Sequence, residues 1–380
     1  MVMIENSDLP VERPRLELTP YLRLMVDKDA SDLYFTSNAR VNIKINGVTT
    51  PVGKNVLPSG AVREILPDIL SERQLAEFEE EMELDTAFTI ENVGRFRVNV
   101  FRQRGEEAMV IRQIKAQIPD IDLLSLPEIV KTLVMEQRGL IIIAGATGTG
   151  KSTTVASMLD YRNQHKTGHI LTIEDPIEFI YEHKKSIVNQ REVGLDTKSF
   201  DEALRRAMRE APDVIMIGEI RDASTMKQAL SYADTGHLCI ATLHATNAVQ
   251  TLERINSFFP VANRDQLYMD MSLNLRAVIA QRLLIDKEGK RIPATEVLTN
   301  EPQVKSLVHD GQMHKLKDVL EKAPPESVLH SFDNDILRLF SAGLVTMEEA
   351  LVHSDDPEHL KVKLRLGGGM PSDSVDIFAV

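Results

Sequence analysis

Residues 140–153 read LIIIAGATGTGKST, five apolar residues running straight into a glycine-rich turn. Gly145, Gly150, Lys151 and Ser152 satisfy the spacing G-x-x-x-x-G-K-[ST]. Gly145, Gly148 and Gly150 let the backbone turn tightly, so that successive N–H groups can point at phosphate oxygens. The helix expected to begin near Lys151 adds the positive end of its dipole. The loop Gly145, Ala146, Thr147, Gly148, Thr149, Gly150, Lys151, Ser152 and Thr153 therefore reads as a cradle for a nucleotide's phosphates, placed between a buried strand and a helix. In such a cradle Lys151 neutralises the outer phosphates and the Ser152 hydroxyl completes the shell of a phosphate-bound Mg²⁺.

A phosphate loop also needs carboxylates on neighbouring strands. The stretch PDVIMIGEIRD, residues 212–222, offers Glu219 just past an apolar run, at the edge of a parallel sheet where ligands bind. HILTIEDPIEF, residues 169–179, ends likewise in Glu174, Asp175 and Glu178. The set offers one carboxylate to orient an attacking water and another to hold magnesium. His237 and His244 bracket the strand LCIATL. They lack the companions of a zinc site. His244, beyond the strand, suits a γ-phosphate sensor, and His237, at its start, a structural cap or an interface residue.

The surroundings fit two domains. The runs LIIIAG, HILTIED, DVIMIGE and LCIATLH alternate with helical segments, which predicts a parallel sheet covered on both faces over 128–285. Ahead of it, 19–115 reads as a smaller α+β domain, with one helical stretch over PSGAVREILPDILSERQLAEFEEEMELD and turns at Asn46–Gly47 and Arg104–Gly105. Residues 1–18 read as a loose leader without the apolar core of a signal peptide, and 116–127 as a flexible connector. The chain is expected to turn helical over 286–355 and to end in a polar, flexible tail over 356–380.

Composition narrows the partners. With 57 acids against 44 bases the net charge is −13, which argues against nucleic acid. No apolar run approaches the roughly 18 residues of a membrane span. The one cysteine, Cys239, sits in an apolar strand and reads as a buried small hydrophobe. A cluster of Arg95, Arg97, Arg102, Arg104 and Arg112 stands out against the acidic background.

Together these stretches resemble the secretion-type ATPase superfamily of type II secretion and type IV pilus motors. ILTIEDPIEF is similar to its Asp box, PDVIMIGEIRD to its Walker B box and TGHLCIATLHATNA to its His box, while SDLYF and GRFRVNVFRQRG match its N-terminal signatures. The resemblance runs from about residue 20 to 345. It implies a RecA-like α/β core with a mainly parallel sheet, preceded by a smaller α+β (PAS-like) domain and followed by a helical region. It also implies a homohexamer binding ATP and Mg²⁺ between domains. In that frame Glu178 activates the water, Glu219 organises metal and water, His244 senses the γ-phosphate, and Glu174 and Asp175 line the nucleotide site. Arg97 and Arg112 match the finger arginines, with Arg95 and Arg104 as weaker matches; Arg205 and Arg209 match arginines near the subunit boundary.

QRLLIDKEGKRIPATEVL carries no cysteine where extension and secretion motors have a tetracysteine insert, which points to the PilT/PilU retraction branch. PQVKSLVHDG departs from the retraction motor's AIRNLIRE signature, and with the polar tail this favours the accessory, PilU-type role. Ala211 stands where the family box usually has Asp. The implied partners are a PilT-type paralogous retraction ATPase and an inner-membrane pilus platform protein, reached by a cytoplasmic protein at the membrane's periphery. Two alternatives follow from the same residues: an ATP-binding scaffold regulating a partner motor, and a secretion or DNA-uptake motor.

Overall fold

The computed structural model describes residues 16–45, 47–114, 117–324 and 327–366. It divides into two compact units, Met1–Ala116 and Gln117–Val380. Most of the expected leader, Asn46 of the expected turn and the last residues of the expected tail lie outside the described residues; Gly47 turns with φ +81°.

In the first unit, α1 (Thr19–Asp27) leads into β1 (Asp32–Thr36), β2 (Arg40–Ile45) and β3 (Val48–Val56). Helices α2 (Ala61–Ile69) and α3 (Glu72–Glu81) follow, then β4 (Glu83–Ile90), β5 (Gly94–Gln103) and β6 (Glu106–Ile114). The strands form one antiparallel sheet in the order β3-β2-β1-β6-β5-β4. Alternation sends Leu33, Phe35, Phe96, Val98, Val100, Met109 and Ile111 into a core with Leu22, Met25, Val62 and Ile65 of the helices. The single helical stretch expected here breaks instead. Leu70 is extended and Ser71 starts a new helix with a capping box, its hydroxyl accepting from the Gln74 N–H while Gln74 Oε1 accepts from the Ser71 N–H. The hairpin between β5 and β6 turns on Arg104 (φ +52°) and Gly105 (φ +79°).

The second unit opens with a short 3₁₀ turn at Ile121–Leu123, α4 (Ile129–Val134), β7 (Gly139–Ala144) and α5 (Lys151–His165). Next come β8 (Gly168–Glu174), β9 (Ser186–Glu192), α6 (Phe200–Ala207), β10 (Val214–Ile217), α7 (Ala223–Asp234), β11 (Leu238–Leu243), α8 (Ala248–Ser257) and α9 (Arg264–Asn274). The unit closes with β12 (Leu275–Ile285), β13 (Arg291–Thr299) and helices α10 (Pro302–His309), α11 (Leu316–Glu321), α12 (Phe332–Ser341), α13 (Met347–His353) and α14 (Pro357–Leu366). The sheet order is β13-β12-β7-β11-β10-β8-β9, parallel except for β13. Every residue of β7, β10 and β11 is buried, as a parallel sheet between helical layers requires. Leu140, Ile142 and Ala144 face one layer; Ile141 and Ile143 face α4 and α5.

Three further expectations change. The sheet continues past residue 285, because β13 pairs antiparallel with β12 as an edge strand, where Pro293 costs no interior ladder bond. The described part of the connector is anchored at two points: Ile121 is buried and the Ser157 hydroxyl of α5 donates to the Pro119 carbonyl at 2.7 Å. The tail begins as helix α14, with Leu360 and Leu364 buried in the core. Among the described residues, no helix is long and apolar enough to cross a membrane.

Candidate active site

The carboxyl ends of β7, β8, β10 and β11 carry the phosphate loop, the Glu174–Glu178 segment, Glu219 and His244 to one edge of the sheet. The loop is built around two close approaches. A Cβ on Gly145 would fall 2.4 Å from Thr149 Oγ1 and 2.8 Å from the Gln281 carbonyl oxygen. Gly150 sits at φ +86°, and a Cβ there would meet Gln281 Nε2 at 2.9 Å. Ala146, Thr147 and Gly148 form the exposed tip, and Ser152 and Thr153 lie half-buried on the first turn of α5.

Lys151 is buried, and its ammonium donates to the carbonyls of Gly145 (2.9 Å) and Ala146 (2.8 Å). Burial lowers its pKa, and the charges of Glu219 and Glu178 pull it back up. The same ammonium stands 3.5 Å from His244 Nδ1, and His244 Nε2 is 3.4 Å from Glu219 Oε1. Arg221 completes the chain of contacts, donating from Nε to Glu219 Oε2 at 2.9 Å and from its NH1 group to Asp175 Oδ2 at 3.2 Å. The hydrogen bond to Glu219 raises the Arg221 pKa further. Lys151, His244, Glu219, Arg221 and Asp175 are thus linked contact by contact, and Glu178 acts on the same lysine.

Glu174, expected to line the nucleotide site, is turned into the protein. The residue is 6% exposed, and its carboxylate accepts from the Thr172 hydroxyl (2.7 Å) and the Gln190 amide (3.2 Å). Alternation puts Glu174 on the same face of β8 as Thr172, and helices cover both faces of the strand there. His237 caps the far end of β11, with Nδ1 3.2 Å from both the Tyr232 carbonyl oxygen and Thr235 Oγ1. Cys239 is buried, which pushes its thiol pKa well up.

In the first unit Arg97 and Arg112 are register partners on neighbouring strands, and Asp32 pairs with Arg112 from the third. Arg112 donates from Nε (3.0 Å) and its NH2 group (2.8 Å) to Asp32 Oδ1, while Arg97 lies 3.6 Å from Asp85. The two guanidinium groups therefore share one sheet face, each beside a carboxylate. Arg104 sits in the β5–β6 turn. Arg205 pairs with Asp201 one helical turn away, and Arg209 lies exposed just past the end of α6.

Residue-by-residue reading of the sequence missed Arg221, Gln190 and Gln281. Gln281 is buried in β12; it accepts from the Thr154 hydroxyl (2.7 Å) and donates to the Thr149 carbonyl (2.8 Å), tying the loop to its neighbouring strand. The available signal was a lone amide inside the apolar run AVIAQRLLI. For Arg221 it was direct adjacency to the Glu219 strand end.

The sequence profile of the family described as Type II/IV secretion system protein matches residues 22–313. The chain belongs to this family. Among family members, the type IV pilus ATPase PilU of Pseudomonas aeruginosa is 46% identical over 359 residues, covering 94% of both chains. The type IV pilus retraction ATPase PilT of the same organism is 36% identical over 344 residues, 90% of this chain and 100% of that one. The crystal structure of the pilus retraction motor PilT with bound ADP shares the fold at a TM-score of 0.85 and 39% identity, over 91% of this chain and 99% of the other.

Proposed function

We propose that this chain is an ATP-hydrolysing motor subunit that powers or assists type IV pilus retraction, in the accessory role of a PilU-type ATPase. The observation that carries the chemistry is the convergence of Lys151, Glu219 and His244 in linked contacts at one sheet edge, with Glu178 acting on the same lysine. The assignment to retraction is supported by the near full-length likeness to PilU and PilT. The scaffold and secretion readings are not favoured by these relatives.

The substrate is Mg-ATP. Among the described residues no group of three or more His, Cys, Asp or Glu could hold an ion. A metal here would depend on phosphate oxygens for most of its shell, with the Ser152 hydroxyl and the Glu219 carboxylate as protein donors. The loop amides and the α5 N-terminus bind the phosphates. Lys151 leaves the carbonyls of Gly145 and Ala146 for the phosphate oxygens, where negative charge favours its protonated form. Glu178 accepts the proton of the attacking water, Glu219 orients water and metal, and His244, between Lys151 and Glu219, reads the γ-phosphate. Glu219, which accepts from Arg221 in the structure, would supply a carboxylate oxygen to the cation when one is bound. Asp175, tied to Arg221, belongs to the same charge network.

In a homohexamer, Arg97 and Arg112 stabilise the phosphates' developing charge, which their planar donor forks suit. The work passes to a PilT-type paralogue and an inner-membrane platform protein at the cytoplasmic face.

Phosphate release from purified protein with Mg-ATP, beside Lys151→Ala, tests the reading. Lysine-dependent turnover is expected, and turnover equal in the two proteins would refute it. In cells, loss of retraction in the Lys151→Ala strain tests the physiological half separately.

A further inference from the structure

The segment that follows β8, residues 175–185, has almost no regular secondary structure, yet it carries Glu178. A backbone without a ladder must find its partners elsewhere, and here it finds them on side chains. The Ile177 N–H donates to Glu192 Oε2 at 3.4 Å. Gln190 then acts as a surrogate strand: its Nε2 donates to the Phe179 carbonyl at 2.8 Å and its Oε1 accepts from the Tyr181 N–H at 3.0 Å. The same Nε2 reaches Glu174 Oε1 at 3.2 Å, which anchors the Gln190 amide to the end of β8. Ile177, Phe179 and Tyr181 are buried, and only alternation between them turns Glu178 outward.

We infer that Gln190, with its amide anchored by Glu174, is a positioning residue for the reaction: it fixes the backbone just past Glu178, as Glu192 does just before it, and so aims the Glu178 carboxylate. The inference rests on the reading of Glu178 as the water-activating base. Neither Gln190 nor Glu174 touches the phosphate loop in the structure, so their loss acts on the chemical step and leaves nucleotide affinity alone. A displacement of about 1 Å at a reacting group can lower a rate about a hundredfold.

A second readout comes from charge. Burial pushes the Glu174 carboxyl up to about 7, against the bonds from Thr172 and Gln190 that hold it down. The titratable groups around it are Glu178 and Tyr181 of the segment and Glu192, its register partner on β9; Asp160 of α5, paired with Lys184 at 2.7 Å, acts on Tyr181. Removing a hydrogen bond to the ionised form moves its titration to higher pH.

The experiment compares full-length wild type with Gln190→Leu, Thr172→Val and Glu178→Gln. It measures Mg-ATP turnover from pH 6 to 8.5, Mg-ADP affinity by calorimetry, and melting temperature. Gln190→Leu is expected to lower kcat tenfold or more while ADP affinity stays within twofold. Thr172→Val, which keeps the side-chain volume, is expected to lower kcat less and to move the pH inflection of turnover upward. If Glu178→Gln turns over normally, the reading of Glu178 fails, and this inference falls with it. If Glu178→Gln is inactive while Gln190→Leu matches wild type in kcat, the positioning inference alone is overturned. If Gln190→Leu and Thr172→Val lose ADP affinity in step with kcat, the clamp is merely structural and the inference is likewise overturned.

Discussion

Replacing Gln281 by leucine should loosen the phosphate loop from the side of β12. Leucine nearly matches glutamine in volume, so the change removes two hydrogen bonds and leaves no large cavity. One lost partner is the Thr154 hydroxyl, 1% exposed, and the other the Thr149 carbonyl, on a half-buried residue. An unpaired buried polar group costs about 1–3 kcal/mol. Both groups here have a partial escape. The Thr154 hydroxyl can rotate toward the Gly150 carbonyl one turn back, which already accepts the Thr154 N–H at 2.9 Å, and the Thr149 carbonyl can meet water. The combined cost should therefore be about 2 kcal/mol, which in a domain of this size is about 4–8 °C in melting temperature. The chain has no tryptophan, so circular dichroism or calorimetry is the assay. The decisive comparison is Thr154→Val with Gln281→Leu: removing both partners should recover part of the loss, because neither is then left unpaired. Strict additivity of the two, or an unchanged melting point for Gln281→Leu, would refute the tie between β12 and the loop.

Gly145→Ala should weaken Mg-ADP binding tenfold or more in calorimetric titration, because its methyl group meets the Gln281 carbonyl, a backbone atom that cannot step aside. Glu178→Gln should reduce phosphate release at least a hundredfold, the usual scale for a lost general base, with ADP affinity within about threefold of wild type. Glu296→Gln tests a different buried acid. Burial pushes the Glu296 carboxyl up to about 7, above its unfolded value of 4.5, while it accepts from the Ala248 N–H at 2.7 Å. Between those two pH values the folded protein holds a proton that the unfolded chain has lost, so stability falls as pH rises. The glutamine keeps the acceptor and cannot ionise; it should gain on wild type by on the order of 3 kcal/mol between pH 4.5 and 8 in denaturant titrations. Parallel pH dependence in both proteins would count against it.

What the sequence made legible and what it hid divide along chain distance. The phosphate loop is contiguous, and its glycines, lysine and serine can be read together because the geometry they build is local. Glu219, Glu178 and His244 are distant from it, yet each announces itself at or just past the end of an apolar strand, and parallel topology brings all such ends to one edge. That rule needs no knowledge of which strands are neighbours. Glu174 shows where the rule stops, since the end of a strand is also its last alternating position, and Glu174 follows Thr172 inward. Gln281 lies 127 residues from Thr154 and 132 from Thr149. Its importance follows only from the adjacency of β12 and β7, which no periodicity encodes. Arg221 is similar: its link to Asp175 spans 46 residues and requires β10 to pair with β8. The same limit hid β13, whose Pro293 and polar flanks read as non-strand until β12 lies beside it. Residues proposed to meet substrate announce themselves by unusual chemistry in a local pattern. Residues that hold those groups in place are ordinary amides and carboxylates, and only long-range strand pairing gives them their work.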